Sequence, residues 1–183
     1  MSTVAQTRSF ISGWVLICLA FPAAGSAQDG DSKLNEHLQA FAPYVGTWIC
    51  ETQWQSGGEL WAQNEYSIGM NGNFFEAITS SKNAQGGIYQ RYKTTWLYDP
   101  NEKKLKTYGF TYDGTVTITE PEIDDSGEGH PIIRSKWQQP DGTWIKQEVQ
   151  MNEDNQSYQW RVWSSQNEKD WDQIMDGTWD KRV

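Results

Sequence analysis

The side chains with most scope for chemistry in this chain are aromatic. Of eleven tryptophans, all but Trp14 lie beyond residue 28: Trp48, Trp54, Trp61, Trp96, Trp137, Trp144, Trp160, Trp163, Trp171 and Trp179. A strand sends alternate side chains to opposite faces. At that spacing several of these rings, or apolar residues near them, share a face with polar groups. Asn64 and Tyr66 go with Leu60 and Ile68, and Gln90, Tyr92 and Thr94 with Trp96. Glu148 goes with Trp144, and Arg161 with Trp163. Inside a small barrel such a wall can hold one ligand, the rings supplying apolar area and a few polar groups fixing its orientation. This reading gives ligand-lining roles to Trp48, Tyr66, Tyr92, Trp96 and Trp144, with Asn64 or Arg161 orienting a polar end. The competing use of the same rings is a solidly packed core.

Other chemistries find less support. The chain has no Gly-x-Ser-x-Gly nucleophile elbow and no His-Glu-x-x-His metal motif. Glu76 and Glu148 have apolar strand neighbours and could form a carboxylate pair flanking a sugar, but acids are numerous enough for such pairs to arise by chance. His37 and His130 are the two imidazoles. His37 lies off the apolar stripe of its segment, and His130 precedes Pro131 in an acidic loop. Within that loop Glu120, Glu122, Asp124, Asp125 and Glu128 are hard-cation donors, at a spacing that does not fit an EF-hand. No metal or cofactor is assigned.

The elements that must position these residues begin after a targeting segment. Arg8 precedes an apolar run, Phe10 to Ala23, which ends in Pro22 and the small residues up to Ala27. That is the order of parts of a secretory signal peptide, with cleavage near Ala27. Cleavage there leaves 183 − 27 = 156 residues, the size of one domain, covering 28–183. Removing Arg8 takes the formal charge from −9 to −10. A chain so acidic, with no basic run, is poorly suited to nucleic acid or to anionic membrane surfaces. No later segment is apolar enough to span a membrane. Once Cys18 is removed, Cys50 is the remaining cysteine, so no intrachain disulfide forms and its parity with Trp48 and Trp54 favours burial.

Leu34, Leu38 and Phe41 form a stripe at i, i+4, i+7, so Lys33 to Ala42 is expected to be a short helix capped by Asp31 or Ser32 and ended by Pro43. From Tyr44 onward, turn signals recur: Gly57-Gly58, Asn71-Gly72, Asp113-Gly114, Asp141-Gly142 and others. Between them lie ten strand-like runs: 45–55, 59–70, 73–80, 87–98, 103–112, 115–119, 131–138, 143–151, 156–165 and 171–180. This spacing predicts an all-β antiparallel up-and-down barrel of about 8–10 strands, closed so as to remove its edges. Glu120 to Pro131 is expected to be an irregular loop.

Gly46-Thr47-Trp48, after a short helix and at the head of a strand meander, resembles the Gly-x-Trp opening of the lipocalin-like (calycin) barrels, in particular those that bacteria secrete. The resemblance covers roughly Leu34 to Val183. It implies that a late arginine, Arg161 or Arg182, stacks on Trp48 and closes one end of the barrel. Haem-binding relatives carry more glycines after the motif tryptophan than Trp48-Ile49-Cys50-Glu51 offers, which weighs against haem. The leading expectation is a secreted or periplasmic protein that binds a small apolar or amphipathic ligand in the barrel. The alternatives are a carbohydrate-active or isomerase-type enzyme using Glu76 or Glu148, and an envelope interaction module presenting tryptophans such as Trp61 and Trp137. The oligomeric state is left open.

Overall fold

The computed structural model describes residues 33–182. The expected signal peptide and the candidate caps Asp31 and Ser32 lie outside the described residues. The first element of the described residues is a 3-10 helix, Glu36–Tyr44, capped by Asn35, whose side chain accepts a hydrogen bond from the His37 amide. This corrects the expected helix over 33–42. In a 3-10 helix residues three apart eclipse, and the buried face is accordingly Leu38, Phe41 and Tyr44. Leu34 is also buried, so the apolar stripe read from the sequence does face the core.

Eleven strands follow: β1 Gly46–Gln53, β2 Glu59–Gly69, β3 Phe74–Lys82, β4 Ile88–Asp99, β5 Lys104–Thr111, β6 Val116–Thr119, β7 Glu122–Asp124, β8 Ile132–Gln138, β9 Trp144–Met151, β10 Ser157–Ser165 and β11 Asp172–Lys181. They form one sheet in the order β6-β5-β4-β3-β2-β1-β11-β10-β9-β8-β7, with antiparallel neighbours throughout. Chain neighbours are therefore sheet neighbours everywhere except at the seam between β6 and β7, and β1 pairs in addition with β11. The expected meander is present. Its first strand joins its last through Trp48 opposite Lys181 and Ile49 opposite Asp180.

Two details differ from expectation. The stretch 120–131 is not wholly irregular, because Glu122–Asp124 pairs with β8. Nor is the sheet sealed by hydrogen bonds. It curls until β6 comes within 8 Å of β8 (Cα–Cα), but no ladder joins β6 to β7. The architecture is an all-β, curled half-barrel.

Tight turns set the register. At Asn71–Gly72, between β2 and β3, both residues have positive φ, 58° and 89°. A Cβ on Gly72 would also sit 2.2 Å from the Lys33 carbonyl oxygen. Glycine is required there by conformation and by space.

The core fills one end of the half-barrel. Trp48 is 0% exposed, and its indole N–H donates to the Tyr44 carbonyl at 2.6 Å. Tyr158 meets Trp48 edge-on and stacks on Trp179, while Phe41, Phe75, Trp96 and Tyr66 pack ring against ring beside the 3-10 helix. The cation over Trp48 is Lys181, its Nζ 5.3 Å from the ring centroid. Neither Arg161 nor Arg182 takes that place. Arg161 reaches toward Asp176 at 3.9 Å, and Arg182 toward Gln63. Cys50 is fully buried, and burial pushes its thiol up to about 12.

Candidate functional site

With one end filled by rings and the 3-10 helix, the space left inside the sheet is a cavity of about 590 Å³. That is within the roughly 300–1,000 Å³ usual for small-molecule sites. It is lined from the filled end by Tyr66, Trp96, Tyr158 and Trp179. At the other end it is lined by Trp54, Arg91, Asp113, Trp137, Gln139 and Pro140, residues from the strand ends and hairpins remote from the 3-10 helix.

The sheet register explains which side chains face inward. One inner row runs Ile68, Phe75, Trp96, Thr107, Thr119 across β2 to β6. The next runs Tyr66, Ala77, Thr94, Gly109, Thr117. A third runs Asn64, Thr79, Tyr92, Thr111. The first two rows pass from rings and aliphatics on β2 and β3 to hydroxyls and glycine on β5 and β6. The other half of the sheet contributes Trp160, Val149 and Ile133 in one row and Val162, Gln147 and Ser135 in another. The cavity thus has an aromatic side, rich in tryptophan from β8, β10 and β11, and a hydroxyl-bearing side from β4 to β6.

The filled end carries a neutral hydrogen-bond network. Asn64 donates through Nδ2 to the hydroxyls of Tyr66 and Tyr158, each at 3.0 Å, and those hydroxyls lie 3.2 Å apart. Thr79 donates to Asn64 Oδ1 at 2.6 Å. What surface Tyr66 retains faces the cavity rather than bulk water, and burial pushes its phenol up to about 12. Burial also raises the Tyr44 and Tyr158 phenols above their ordinary value. At neutral pH all three are uncharged. Trp160 donates its indole N–H to Gln147 at 3.1 Å. Among the lining residues the charged groups are Arg91 and Asp113, both at the open end. Asp113 is held by the Thr111 hydroxyl and the Thr115 amide, which lower its pKa.

Two buried polar groups are left over among the described residues, the Tyr44 hydroxyl in the packed end and the Thr107 hydroxyl in the cavity wall. Thr107 is 9% exposed, and its Oγ1 is buried with no hydrogen-bond partner among the described residues. A buried hydroxyl without a partner is uncommon in a native structure and calls for an explanation.

Of the residues singled out from the sequence, Asn64, Tyr66, Tyr92 and Trp96 line the cavity together. Three do not. Trp48 lies in the packed end behind Tyr158. Trp144 and Arg161 stand on the outer face, because the inward parity of β9 is Ile145, Gln147, Val149 and that of β10 is Tyr158, Trp160, Val162. There Trp144 is covered by the Lys136 ammonium, 5.5 Å from its ring. Gln90 is displaced for a different reason. A register shift between Thr79 and Ser80 puts Arg91 beside Tyr92 in the cavity wall and turns Gln90 away.

Glu76 and Glu148, the candidate catalytic pair, are engaged in ion pairs outside the cavity, with Lys93 at 3.1 Å and Arg134 at 3.0 Å. In the acidic stretch Glu120 pairs with Lys104, and Asp124 with Arg134. His37 stacks on Tyr98, with ring centroids 3.6 Å apart. Trp61 is capped by Lys82 rather than standing free, and Trp137 faces the cavity.

The lining residues missed from sequence are chiefly Thr107, Thr111, Thr117 and Thr119, with Tyr158, Trp160 and Trp179. Their signal was present as period-two spacing: Thr107-x-Gly109-x-Thr111, and Thr117-x-Thr119 between Val116 and Ile118.

No family model and no curated protein matches the sequence. Among solved structures the chain is similar to "Crystal Structure of Rv2717c from M. tuberculosis", with a TM-score of 0.56 and 10% identity, over 82% of this chain and 100% of that one. At such identity the likeness is one of fold.

Proposed function

We propose that this chain is a secreted or periplasmic, lipocalin-like binding protein that holds one small amphipathic molecule in its half-barrel. The observation that carries the reading is the cavity itself. It is about 590 Å³ in volume, filled by rings at one end, and its charged lining residues stand only at the other. Indole and phenol rings supply apolar contact, and a few fixed neutral groups supply orientation, which is the composition of a small-molecule site. Among the described residues the carboxylate that lines the cavity is Asp113, at the open end and held by Thr111 and Thr115, while Glu76 and Glu148 face outward in ion pairs. Binding without turnover is therefore the better fit. Secretion rests on the signal-like order of residues 1–27, and the family reading on Gly46-Thr47-Trp48 at the head of the meander.

The test is native mass spectrometry of the protein purified from its own secretory compartment, followed by denaturing extraction. The expected result is a stoichiometric small molecule retained in the native state and released on unfolding. A clean unliganded mass, together with no change in tryptophan fluorescence or melting temperature on adding neutral amphiphiles, would overturn the proposal.

A further inference from the structure

β5 and β6 are built the wrong way round for a packed barrel. On β6, Thr117 and Thr119 face the cavity, while Val116 and Ile118 are 54% and 61% exposed on the outer face. On β5, Thr107, Gly109 and Thr111 face in, and Phe110 faces out, 41% exposed. Moving β6 by one residue against β5 would exchange its two faces and bury Val116 and Ile118. The fold instead keeps hydroxyls inside at the cost of exposed aliphatics.

Apart from Thr111, whose hydroxyl donates to Asp113, those hydroxyls are short of partners. The main chain of a sheet is occupied by its ladders, so an inward threonine must bond to another side chain, to water or to a ligand. Thr79 is satisfied by Asn64. Thr107 is buried with no partner among the described residues, and Thr94, Thr117, Thr119, Ser81 and Ser135 stand beside it on the cavity wall. An alkyl chain in this space would displace water from these groups and return nothing to them. A polyhydroxylated ring offers each a donor or an acceptor, since every hydroxyl is both. Its C–H face suits the half-buried indoles of the other side, Trp137 and Trp160, which line the cavity. Among the described lining residues the charged groups, Arg91 and Asp113, stand at the open end, away from these hydroxyls.

We infer that the ligand is a neutral saccharide or glycoside ring, lying between the tryptophan side and the Thr107/Thr117/Thr119 hydroxyls. This rests on the binding reading above and narrows it.

The experiment titrates the purified protein, by tryptophan fluorescence and calorimetry, with three sets of probes. The first is a library of neutral mono- to trisaccharides, the second the same sugars as 4-nitrophenyl glycosides, and the third dodecanol. Saturable 1:1 binding of at least one sugar is expected. The Thr107→Val/Thr119→Val double variant should weaken it about 10- to 100-fold, at about 3- to 10-fold per lost hydrogen bond. The Thr107→Ser/Thr119→Ser variant, which keeps both hydroxyls, should largely restore it. Dodecanol should bind more weakly than the sugar, and no worse to the valine variant. Preference for the free sugar indicates a glycan ligand, and preference for the aryl glycoside a glycoconjugate; either supports the inference. Dodecanol binding with no sugar binding overturns it and leaves the cavity reading standing. Binding of none of the three overturns both.

Discussion

Thr107 provides the sharpest test of how the cavity wall is built. Its hydroxyl is buried without a hydrogen-bond partner among the described residues. Such a group costs about 1–3 kcal/mol of desolvation. Thr107→Val keeps the β-branched shape and the strand preference, and exchanges the hydroxyl for a methyl whose burial is worth up to about 0.8 kcal/mol. The variant should therefore be more stable than the parent by about 1–3 kcal/mol. For a chain of this size that raises the melting temperature by about 2–4 °C per kcal/mol. The matched control is Thr79→Val. It removes a hydroxyl that donates at 2.6 Å to Asn64 Oδ1 and strands the acceptor of a residue only 7% exposed. It should lose about 1–3 kcal/mol.

The two variants make the same chemical change on the same half of the sheet, separated by one strand, and opposite signs are expected. Urea unfolding followed by tryptophan fluorescence and far-ultraviolet dichroism measures both, with an unchanged m-value confirming that the unfolded state is comparable. Destabilisation of Thr107→Val by more than about 1 kcal/mol would show that its hydroxyl is satisfied in solution and would refute the reasoning. If Thr107→Val is stabilised yet fails to bind sugar, the hydroxyl is kept for the ligand rather than for the fold.

Four further outcomes follow from the packed end and the turns. Trp48→Ala empties a fully buried site and should cost about 3–5 kcal/mol, whereas Trp48→Phe, which chiefly orphans the Tyr44 carbonyl, should cost about 1–3 kcal/mol, both by urea unfolding. Stability should fall as pH rises above about 9. The unfolded chain releases the Cys50 proton near 9 and the Tyr66 proton near 10 while the folded chain holds both to about 12, and Tyr66 accounts for about 2–3 kcal/mol of the loss. Tyr66→Phe should lessen the slope without abolishing it, because Cys50, Tyr44 and Tyr158 still contribute. Cys50 should resist a thiol reagent at pH 8 in the native state and react only on unfolding, because its thiol is buried and pushed up to about 12. Gly72→Ala should destabilise by more than about 1–2 kcal/mol, as it adds a Cβ 2.2 Å from the Lys33 carbonyl oxygen to a residue at φ 89°, again read by urea unfolding.

The fold was largely legible because turn chemistry punctuates it. Ten strands were anticipated within a few residues of where they lie. The eleventh, β7, was hidden because Glu122-Ile123-Asp124 carries too few apolar residues to read as a strand, and it is held by pairing with β8. The helix was mistyped because Leu34, Leu38 and Phe41 fit a 3.6 period, while Leu38, Phe41 and Tyr44 fit a 3.0 period, and sequence does not decide between them. For the cavity, parity named the right inner face on β2 and most of β4. It failed on β9 and β10, where Trp144, Trp163 and Arg161 were assumed inward because they are large or could orient a ligand. Inward-facing Gln147 and Val149 look less like a site. Large aromatics can be accommodated outside when a lysine covers them, as Lys136 covers Trp144 and Lys146 covers Trp163.

The same failure bears on why the hydroxyl wall exists. Hydrophobic patterning alone would turn Val116 and Ile118 inward, and β6 lies at a sheet edge, where slipping is easiest. The hairpin that precedes it prevents this. The Thr111 amide donates to the Thr115 carbonyl at 2.9 Å, the Asp113 carboxylate accepts from the Thr115 amide at 3.0 Å and from the Thr111 hydroxyl, and Gly114 takes φ 86°. An Asx-type turn closed by three bonds fixes which residues of β6 face β5, and so which face inward. The threonines are inside because the turn holds them there against the pull of two exposed aliphatics. A register maintained against burial is better explained by what the cavity must contact than by what the core must pack. Disrupting that turn with Asp113→Ala and Gly114→Val should release the conflict: Val116 and Ile118 become protected, Thr117 and Thr119 exposed, and hydrogen exchange across β5 and β6 reports the change. If exchange protection there stays as in the parent, the turn is not what sets the face, and the ladder of β5 with β6 suffices on its own.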